Sequence, residues 1–131
     1  MADLKEPSDL KYAKSDEWVK IEGDVATLGI SDFAQDQLND IVYVEYTVNA
    51  NDEIAAGDAF ASVESVKAAS DIYSHVSGTV IELNRTVTDK PETLNADPFG
   101  EGWLIKVKLS GEPDLSGLMD ADTYVEYCKG R

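Results

Sequence analysis

Cysteine and histidine are almost absent from this sequence, which contains one of each, Cys128 and His75. A lone cysteine excludes a disulfide within the chain. One cysteine and one histidine also cannot supply a cysteine cluster or a multi-histidine site, so we predict no bound metal. We expect Cys128 to be a simple tail residue and His75 to be a surface residue rather than a catalytic one.

Basic residues and long apolar runs are also scarce. The 11 Lys and Arg residues stand against 26 Asp and Glu, and the formal net charge is −15. This charge disfavours nucleic acids and anionic membranes, which bind basic surfaces, and favours partners with basic patches. No apolar run suits a transmembrane helix, and residues 1–7 resemble no targeting segment. We expect a cytoplasmic protein of a bacterium or archaeon, or a mitochondrial matrix protein whose targeting segment has been removed.

The sequence does contain many short segments that alternate apolar and polar residues between glycine turns. Such alternation is typical of half-buried strands. The predicted strands cover residues 17–22, 25–30, 41–48, 59–66, 68–74, 79–84 and 103–109. Ser31 or Asp32 is a suitable N-cap for a short internal helix that runs to Leu38, with Phe33, Leu38 and Ile41 facing inward. The pattern predicts a mainly β fold, a sandwich or a flattened barrel.

We predict one domain over residues 1–131, with a core over about 10–109 and a helical tail over about 113–131. Residues 1–11 are predicted to be a loose lead-in, and residues 85–102, rich in turn residues, a long surface connection. In the tail, Asp114 and Asp120 are candidate caps for two short helices, near 115–119 and near 124–128. We expect these helices to pack on the sheet and cover an edge.

Lys67 stands alone in an acidic part of the chain, because residues 21–66 contain ten acids and no Lys or Arg. Gly57 and Gly78 lie at similar distances on either side of it, which predicts a hairpin with Lys67 at its tip. A protonated, exposed amine is a poor general base, but small neighbours leave room for an enzyme that acylates it. The alternative is an ordinary surface lysine.

Residues 63–71 resemble the lipoylation signature of glycine cleavage system H-proteins, the lipoyl carrier family. Further matches, in the family's order, begin at residues 10, 26, 74, 95 and 102, so the resemblance covers roughly 10–109. Glu64 stands three residues before the lysine, as in H-proteins. Biotin carriers place methionines beside the lysine, and 2-oxoacid dehydrogenase lipoyl domains usually place Asp directly before it, whereas this chain has Val66 and Ala68 there.

The resemblance implies a lipoyl/biotinyl-type fold and a carrier rather than an enzyme. Lipoic acid would be amide-linked to Lys67, and the lipoate-attaching enzymes would recognise Glu64. The arm would take an aminomethyl group from the pyridoxal-phosphate glycine decarboxylase (P-protein) and pass it to the tetrahydrofolate-dependent aminomethyltransferase (T-protein). Dihydrolipoyl dehydrogenase (L-protein) would reoxidise it. A cleft would shelter the ammonium of the loaded arm, and the motif match assigns Ser15, Glu17 and Asp71 to it.

The chain departs from the family pattern at three positions. Phe33 and Gln37 stand where members often have histidines, and Gln37 can hydrogen-bond but cannot titrate near neutral pH. His75 replaces the usual proline after Ser74, so the return strand is expected to be less rigid.

Other readings remain open at the level of sequence. The first alternative is an H-like carrier that relays lipoate to 2-oxoacid dehydrogenase complexes, which would also use Lys67. The second is a small acidic hydrolase with paired carboxylates such as Glu17 and Asp71, although the sequence offers it no nucleophile–base pair. The third is a purely structural β-module with an unmodified lysine.

Overall fold

The computed structural model describes residues 7–129, so residues 1–6 of the predicted lead-in lie outside the described part of the chain. The elements follow one another as strands with four short helices between and after them. They are β1 Lys11–Tyr12, β2 Glu17–Glu22, β3 Val25–Ile30, α1 Asp32–Leu38, β4 Ile41–Tyr46, β5 Glu53–Ile54, β6 Ala59–Ser65, β7 Ala69–Tyr73, β8 Gly78–Leu83, α2 Thr86–Asp89, α3 Thr93–Ala96, β9 Ile105–Leu109 and α4 Ala121–Lys129.

The strands form two antiparallel sheets. One has six strands in the order β1-β2-β3-β9-β8-β5, and the other has three in the order β4-β6-β7. The inward side chains of both sheets meet in one core, which includes Leu28, Val63, Ile72, Val80 and Val107. The predicted mainly β sandwich is therefore confirmed, and within residues 7–129 the two sheets stay separate rather than closing into a barrel.

The predicted internal helix forms as α1. Ser31 is its N-cap, and its hydroxyl accepts a hydrogen bond from the Ala34 N–H at 3.1 Å. The amide of Gln35 donates to Asp32 at 2.8 Å, which braces the first turn. The helix ends at Asn39, whose positive φ of 64° breaks the helical path. Phe33 is buried, as expected, so α1 packs against the rest of the protein through the face that carries this residue.

The prediction of a long surface connection over residues 85–102 is wrong in part. This segment contains two single helical turns, α2 and α3. Val87 and Leu94, one on each turn, are fully buried in the main core. Backbone hydrogen bonds within each turn satisfy polar groups locally, so the turns can carry these side chains inward.

The predicted helix near residues 115–119 is also wrong, whereas the one near 124–128 forms as α4. In place of the first helix the chain runs alongside β1, where Tyr12 and Met119 exchange two backbone hydrogen bonds of 2.8 and 2.7 Å. Pro113 precedes this segment and Gly117 lies within it, and both residues disfavour a helix. Asp120 caps α4 by accepting from the Thr123 N–H at 2.8 Å, and α4 packs against the edge strand β1.

A second hydrophobic cluster joins α4 to the rest of the fold. Its buried members are Leu10, Tyr12, Trp18, Phe33, Ala121, Tyr124 and Cys128. The rings of Tyr12 and Tyr124 stack with centroids 4.8 Å apart. Cys128 is completely buried here, so it is a packing residue of the second cluster and not a loose tail residue.

No helix within 7–129 has the length and apolar character needed to cross a membrane. The same residues contain no group of three or more His, Cys, Asp or Glu side chains that could hold a metal ion.

The close pairing of β8 with β9 gives a test of the packing. A Cβ atom at Gly78 would lie 2.0 Å from the Lys108 carbonyl oxygen and 2.8 Å from Val107. We expect Gly78→Ala to lower the free energy of unfolding by about 3 kcal/mol, because neither the Lys108 backbone nor the packed Val107 side chain can move away without loss of strand pairing or core packing. Urea denaturation measures the change. Gly111→Ala, where a Cβ meets nothing within 4 Å, is the matched control and should change stability by less than about 0.5 kcal/mol. Equal stabilities of the two variants would refute this account.

Candidate functional site

The β6–β7 hairpin presents Lys67 at its tip. The strands pair with Val63 opposite Ser70 and Glu64 opposite Ala69, so the turn consists of the residues between them. The Ser65 N–H donates to the Ala68 carbonyl at 2.8 Å. The Ser65 hydroxyl oxygen also accepts from the Lys67 and Ala68 N–H groups at 3.1 and 3.0 Å. One serine hydroxyl therefore satisfies the N–H groups of two turn residues.

The tip is also held from outside by the last turn of α1 and by Asp40, which follows that helix. The Val66 N–H donates to the Asp40 carbonyl at 3.0 Å, and the Lys67 ammonium donates to the Gln37 carbonyl at 3.3 Å. Carbonyl groups in the last turn of a helix lack helical partners and attract cations. The lysine amine is thus exposed to solvent yet lies beside the C-terminal end of α1.

A cleft of about 400 Å³ lies between α1 and β7. Its volume is within the range of sites that hold small organic groups. The lining combines apolar side chains with a few polar ones: Ser15, Asp16, Ile30, Phe33, Ala34, Gln37, Leu38, Ser70 and Ile72. Gln37 belongs both to this lining and to the contact with Lys67, so the lysine stands at the edge of the cleft. Phe33 and Gln37, which depart from the family pattern, are both part of the wall.

Asp16 enters the cleft from the loop between β1 and β2. Its backbone has a φ of 78°, a conformation that Asp tolerates better than most residues. Its carbonyl accepts from the Ser31 N–H at 2.9 Å, and its carboxylate accepts from the Tyr124 hydroxyl at 2.8 Å. The Tyr124 hydroxyl also contacts the Ser31 hydroxyl at 2.6 Å. Tyr124 therefore connects Asp16 to the N-cap of α1.

Glu17 is buried, with 1% of its surface exposed. One carboxylate oxygen contacts the Ser15 hydroxyl and lies 2.8 Å from His75 Nε2, and the other accepts from the Tyr73 N–H at 3.1 Å. Such partners are what a buried carboxylate requires. His75, which was expected at the surface, is half-buried and bonded to Glu17.

Ser15, His75 and Glu17 do not form a nucleophilic triad. The Ser15 hydroxyl and the Glu17 carboxylate both approach Nε2 of His75, at 3.3 and 2.8 Å. A triad places the nucleophile and the carboxylate on opposite ring nitrogens, so that one group orients the ring while the other loses its proton. The geometry gives the acidic hydrolase reading no support.

The structure brings some of the predicted shelter residues together and separates others. Ser15 lines the cleft, and Glu17 contacts Ser15 from behind. Asp71 is exposed and lies on β7 between Ser70 and Ile72, which both line the cleft. Because side chains alternate along a strand, Asp71 points to the other face of the sheet.

Glu64 also lies on that outer face, opposite Tyr43 of β4 and Ala69 of β7. The neighbouring Glu45 carboxylate, which accepts from the Tyr43 hydroxyl at 3.2 Å, raises the pKa of that phenol. The face next to the lysine is thus acidic and carries an exposed aromatic ring.

The chain matches a known protein family over nearly its whole length. The family described as Glycine cleavage H-protein matches residues 10–131. The chain belongs to this family. This match confirms the resemblance seen in the sequence. At the level of the family, it also confirms the predicted carrier role in glycine cleavage.

Individual relatives cover most of the chain. A glycine cleavage system H protein of Carboxydothermus hydrogenoformans is 50% identical over 118 residues, 90% of each chain. One from Xylella fastidiosa strain M12 is 52% identical over 127 residues, 96% of this chain and 95% of that one. The crystal structure of an H protein from Mycobacterium marinum matches with a TM-score of 0.84 and 31% identity, over 95% of this chain and 99% of that chain.

Sequence reasoning missed Asp16, Tyr124 and the role of His75. Asp16 and Tyr124 are 108 residues apart, and His75 and Glu17 are 58 apart. The available signal was the run Ser15-Asp16-Glu17, in which only two of the three polar residues were assigned to the site.

The Ser65 hydroxyl gives a test of how the lysine is presented. We expect Ser65→Ala to accelerate amide hydrogen exchange at Lys67 and Ala68 roughly fivefold, since each loses a hydrogen bond worth about 1 kcal/mol. Amide exchange followed by NMR measures this. Ser70→Ala, in the same hairpin, is the control and should leave both amides at wild-type rates. Unchanged exchange in Ser65→Ala would contradict the assigned role of the hydroxyl.

Proposed function

We propose that this chain is the lipoyl carrier of a glycine cleavage system and carries lipoic acid as an amide on Lys67. The observation that carries the proposal is the exposed Lys67 amine at a braced hairpin tip, which contacts Gln37, a residue that lines a cleft of about 400 Å³. Membership of the H-protein family supports it. The family and the named relatives favour glycine cleavage over the relay of lipoate to 2-oxoacid dehydrogenase complexes.

The residues around Lys67 fit a lipoyl group. Ile30, Phe33, Leu38 and Ile72 line the cleft with apolar surface, which suits a hydrocarbon chain and a sulfur-containing ring. Acylation of Lys67 removes its positive charge but leaves one N–H. That N–H can still donate to the carbonyl in the last turn of α1 that the ammonium contacts now.

When attached, lipoic acid supplies a dithiolane that carries the aminomethyl group and two electrons between enzymes. The chain contributes presentation, not catalysis. Its braced tip fixes the root of the tether, which raises the effective concentration of the thiols at a docked enzyme. Its cleft excludes water from a cargo that water could otherwise hydrolyse. Ser15 lines the cleft, and Glu17 fixes its hydroxyl from behind.

Membership of the system implies partner enzymes, and we assign them by the chemistry that the cargo requires. They are the pyridoxal-phosphate decarboxylase, the aminomethyltransferase, the dihydrolipoyl dehydrogenase and the lipoate-attaching enzymes. The acidic face beside Lys67, with Glu45 and Glu64, favours partners with basic entrances. The named relatives come from bacteria, which favours the bacterial cytoplasm over the mitochondrial matrix.

The attachment site is tested by the intact mass of the protein purified from its own host. We expect the mass to include one lipoyl amide, which is absent in Lys67→Arg because the guanidinium cannot be acylated in the same way. Lys90→Arg, at another exposed lysine, is the matched control and should keep the added mass. Native protein at its unmodified mass in a host supplied with lipoate would refute the proposal.

The recognition role of Glu64 is tested by the rate of lipoate attachment in vitro. We expect Glu64→Gln to slow attachment about tenfold, because this carboxylate lies next to the hairpin tip and steers a basic enzyme surface. Glu45→Gln removes the same charge from the same face but farther from the lysine, and should slow attachment less than twofold. Equal rates in the two variants would show that Glu64 acts only through net charge.

A further inference from the structure

We propose that Val42, Tyr43 and Val66 form an exposed patch, the tip patch, on which the lipoate-attaching enzyme docks. The surface of that enzyme would have an apolar centre and a basic rim. The inference rests on the proposed function and deepens it, because it names the partner that the patch fits and the side chains that this partner contacts.

The tip patch brings large apolar side chains together at the surface. Val66 is 70% exposed, Val42 55% and Tyr43 47%, which are the highest values among the large hydrophobic side chains of residues 7–129. Single exposed apolar residues are ordinary, whereas an exposed apolar patch with a polar rim marks an interaction site. The tip patch is of the second kind, because exposed acidic residues adjoin it.

A β-bulge in β4 creates much of the patch. Ile41 pairs with Ser65 and Tyr43 pairs with Glu64, so Val42 is the extra residue. With strict alternation from the buried Ile41, Tyr43 would point into the core. The bulge turns Tyr43 outward, so that Val42 and Tyr43 are both exposed. An aromatic ring that the core could have buried is thus placed on the face that carries Glu64.

The tip patch adjoins the lysine. Val66 directly precedes Lys67 in the turn, and its N–H donates to the Asp40 carbonyl at 3.0 Å. Val42 and Tyr43 lie two and three residues after Asp40 in the chain. The patch therefore lies at the root of the lysine side chain.

The side of the tip that faces α1 is already occupied. The Lys67 ammonium and the Val66 N–H bond the carbonyls of Gln37 and Asp40 there. The outer side of the sheet carries a cross-strand row of three exposed residues, Tyr43, Glu64 and Ala69. An enzyme that takes up the amine therefore approaches across the outer side and covers the tip patch.

Distance selects the lipoate-attaching enzyme among the partners. The Lys67 side chain spans about 6 Å from Cα to Nζ, so the acyl donor must come that close to the backbone of the tip. Once lipoic acid is attached, the sulfur atoms lie about 8 Å farther out, and an enzyme that acts on them can stay clear of the tip. Attachment is thus the step that requires contact with the patch.

The bond exchange itself does not involve the patch. The donor is lipoyl adenylate, which forms from lipoate and ATP with release of pyrophosphate. Lys67 Nζ forms the amide bond with the lipoyl carbonyl carbon, and the acyl–phosphate bond breaks. AMP leaves with the electron pair of that bond, and the ammonium gives up two protons. Loss of the patch should therefore weaken the binding of the carrier, which raises KM, and leave kcat unchanged.

The rim of the patch specifies the charge of the partner. Glu45, Glu64 and Asp71 are exposed on the same outer face. Protein interfaces commonly combine an apolar centre with a polar rim. Charge at the rim speeds the encounter with a basic surface, while the apolar centre holds the complex together. The arrangement fits an enzyme with basic residues around an apolar docking surface.

The test measures attachment of lipoate to the whole unmodified protein by a lipoate–protein ligase of its own host, with lipoate and ATP. The variants are Val42→Thr, Tyr43→Thr and Val66→Thr, which keep β-branched or strand-compatible side chains and remove apolar surface. Ile81→Thr is the matched control, because Ile81 is 45% exposed but lies on β8 of the other sheet. We expect KM for the carrier to rise about fivefold in each tip variant at wild-type kcat, and both constants to stay at wild-type values in Ile81→Thr.

Two further measurements separate docking from other causes. Acetylation of Lys67 by acetic anhydride needs no docked enzyme, so its rate should be the same in every variant as in wild type. After lipoylation and reduction, each variant should also be reoxidised by dihydrolipoyl dehydrogenase at the wild-type rate.

The outcomes separate the docking role from the carrier function. If wild-type protein is lipoylated and the tip variants keep its KM, the docking role is refuted and the carrier function stands. Slower acetylation in the tip variants would locate the effect in the hairpin itself and would also refute docking. An equal loss toward dihydrolipoyl dehydrogenase would overturn the assignment to the attaching enzyme. If the ligase cannot modify wild-type Lys67, the proposed function fails, and the inference fails with it.

Discussion

Antiparallel pairing of β6 with β7 places Lys67 at the hairpin tip, because the register of this hairpin is set by burial. Val63 and Ile72 point into the core, while Glu64 and Asp71 point to solvent. A slip of one residue would exchange the two faces and bury the carboxylates at a cost of several kcal/mol. The hairpin therefore has one stable register, and in that register the turn falls on Lys67.

The end of α1 connects the hairpin tip to the cleft. The Gln37 and Asp40 carbonyls accept hydrogen bonds from the Lys67 ammonium and the Val66 N–H at the tip. Phe33 anchors α1 in the second hydrophobic cluster. At the other end, Ser31 is fixed by Tyr124 of α4. The C-terminal helix, far along the chain from the lysine, thus determines where one wall of the cleft stands.

Most of the fold could be predicted because its signals are local. Alternating residues over 59–66 and 68–74 predict the hairpin, and Ser31 predicts the start of the helix. The two turns at Val87 and Leu94 were missed because tertiary packing, not periodicity, decides them. The site was only partly predictable for the same reason. Lys67 and Glu64 lie within one motif, whereas the contact of Asp16 with Tyr124 joins residues 108 positions apart.

The buried carboxylate of Glu17 holds two segments of the chain together beside the cleft. Glu17 is 1% exposed, and its oxygens bond the Ser15 hydroxyl, His75 Nε2 and the Tyr73 N–H. Loss of a partner would leave a buried charge less well compensated, which costs several kcal/mol. Ser15 lines the cleft and Tyr73 is the last residue of β7, so Glu17 joins the loop before β2 to the end of β7. The position of the Ser15 hydroxyl in the cleft wall therefore depends on a charge that solvent does not reach.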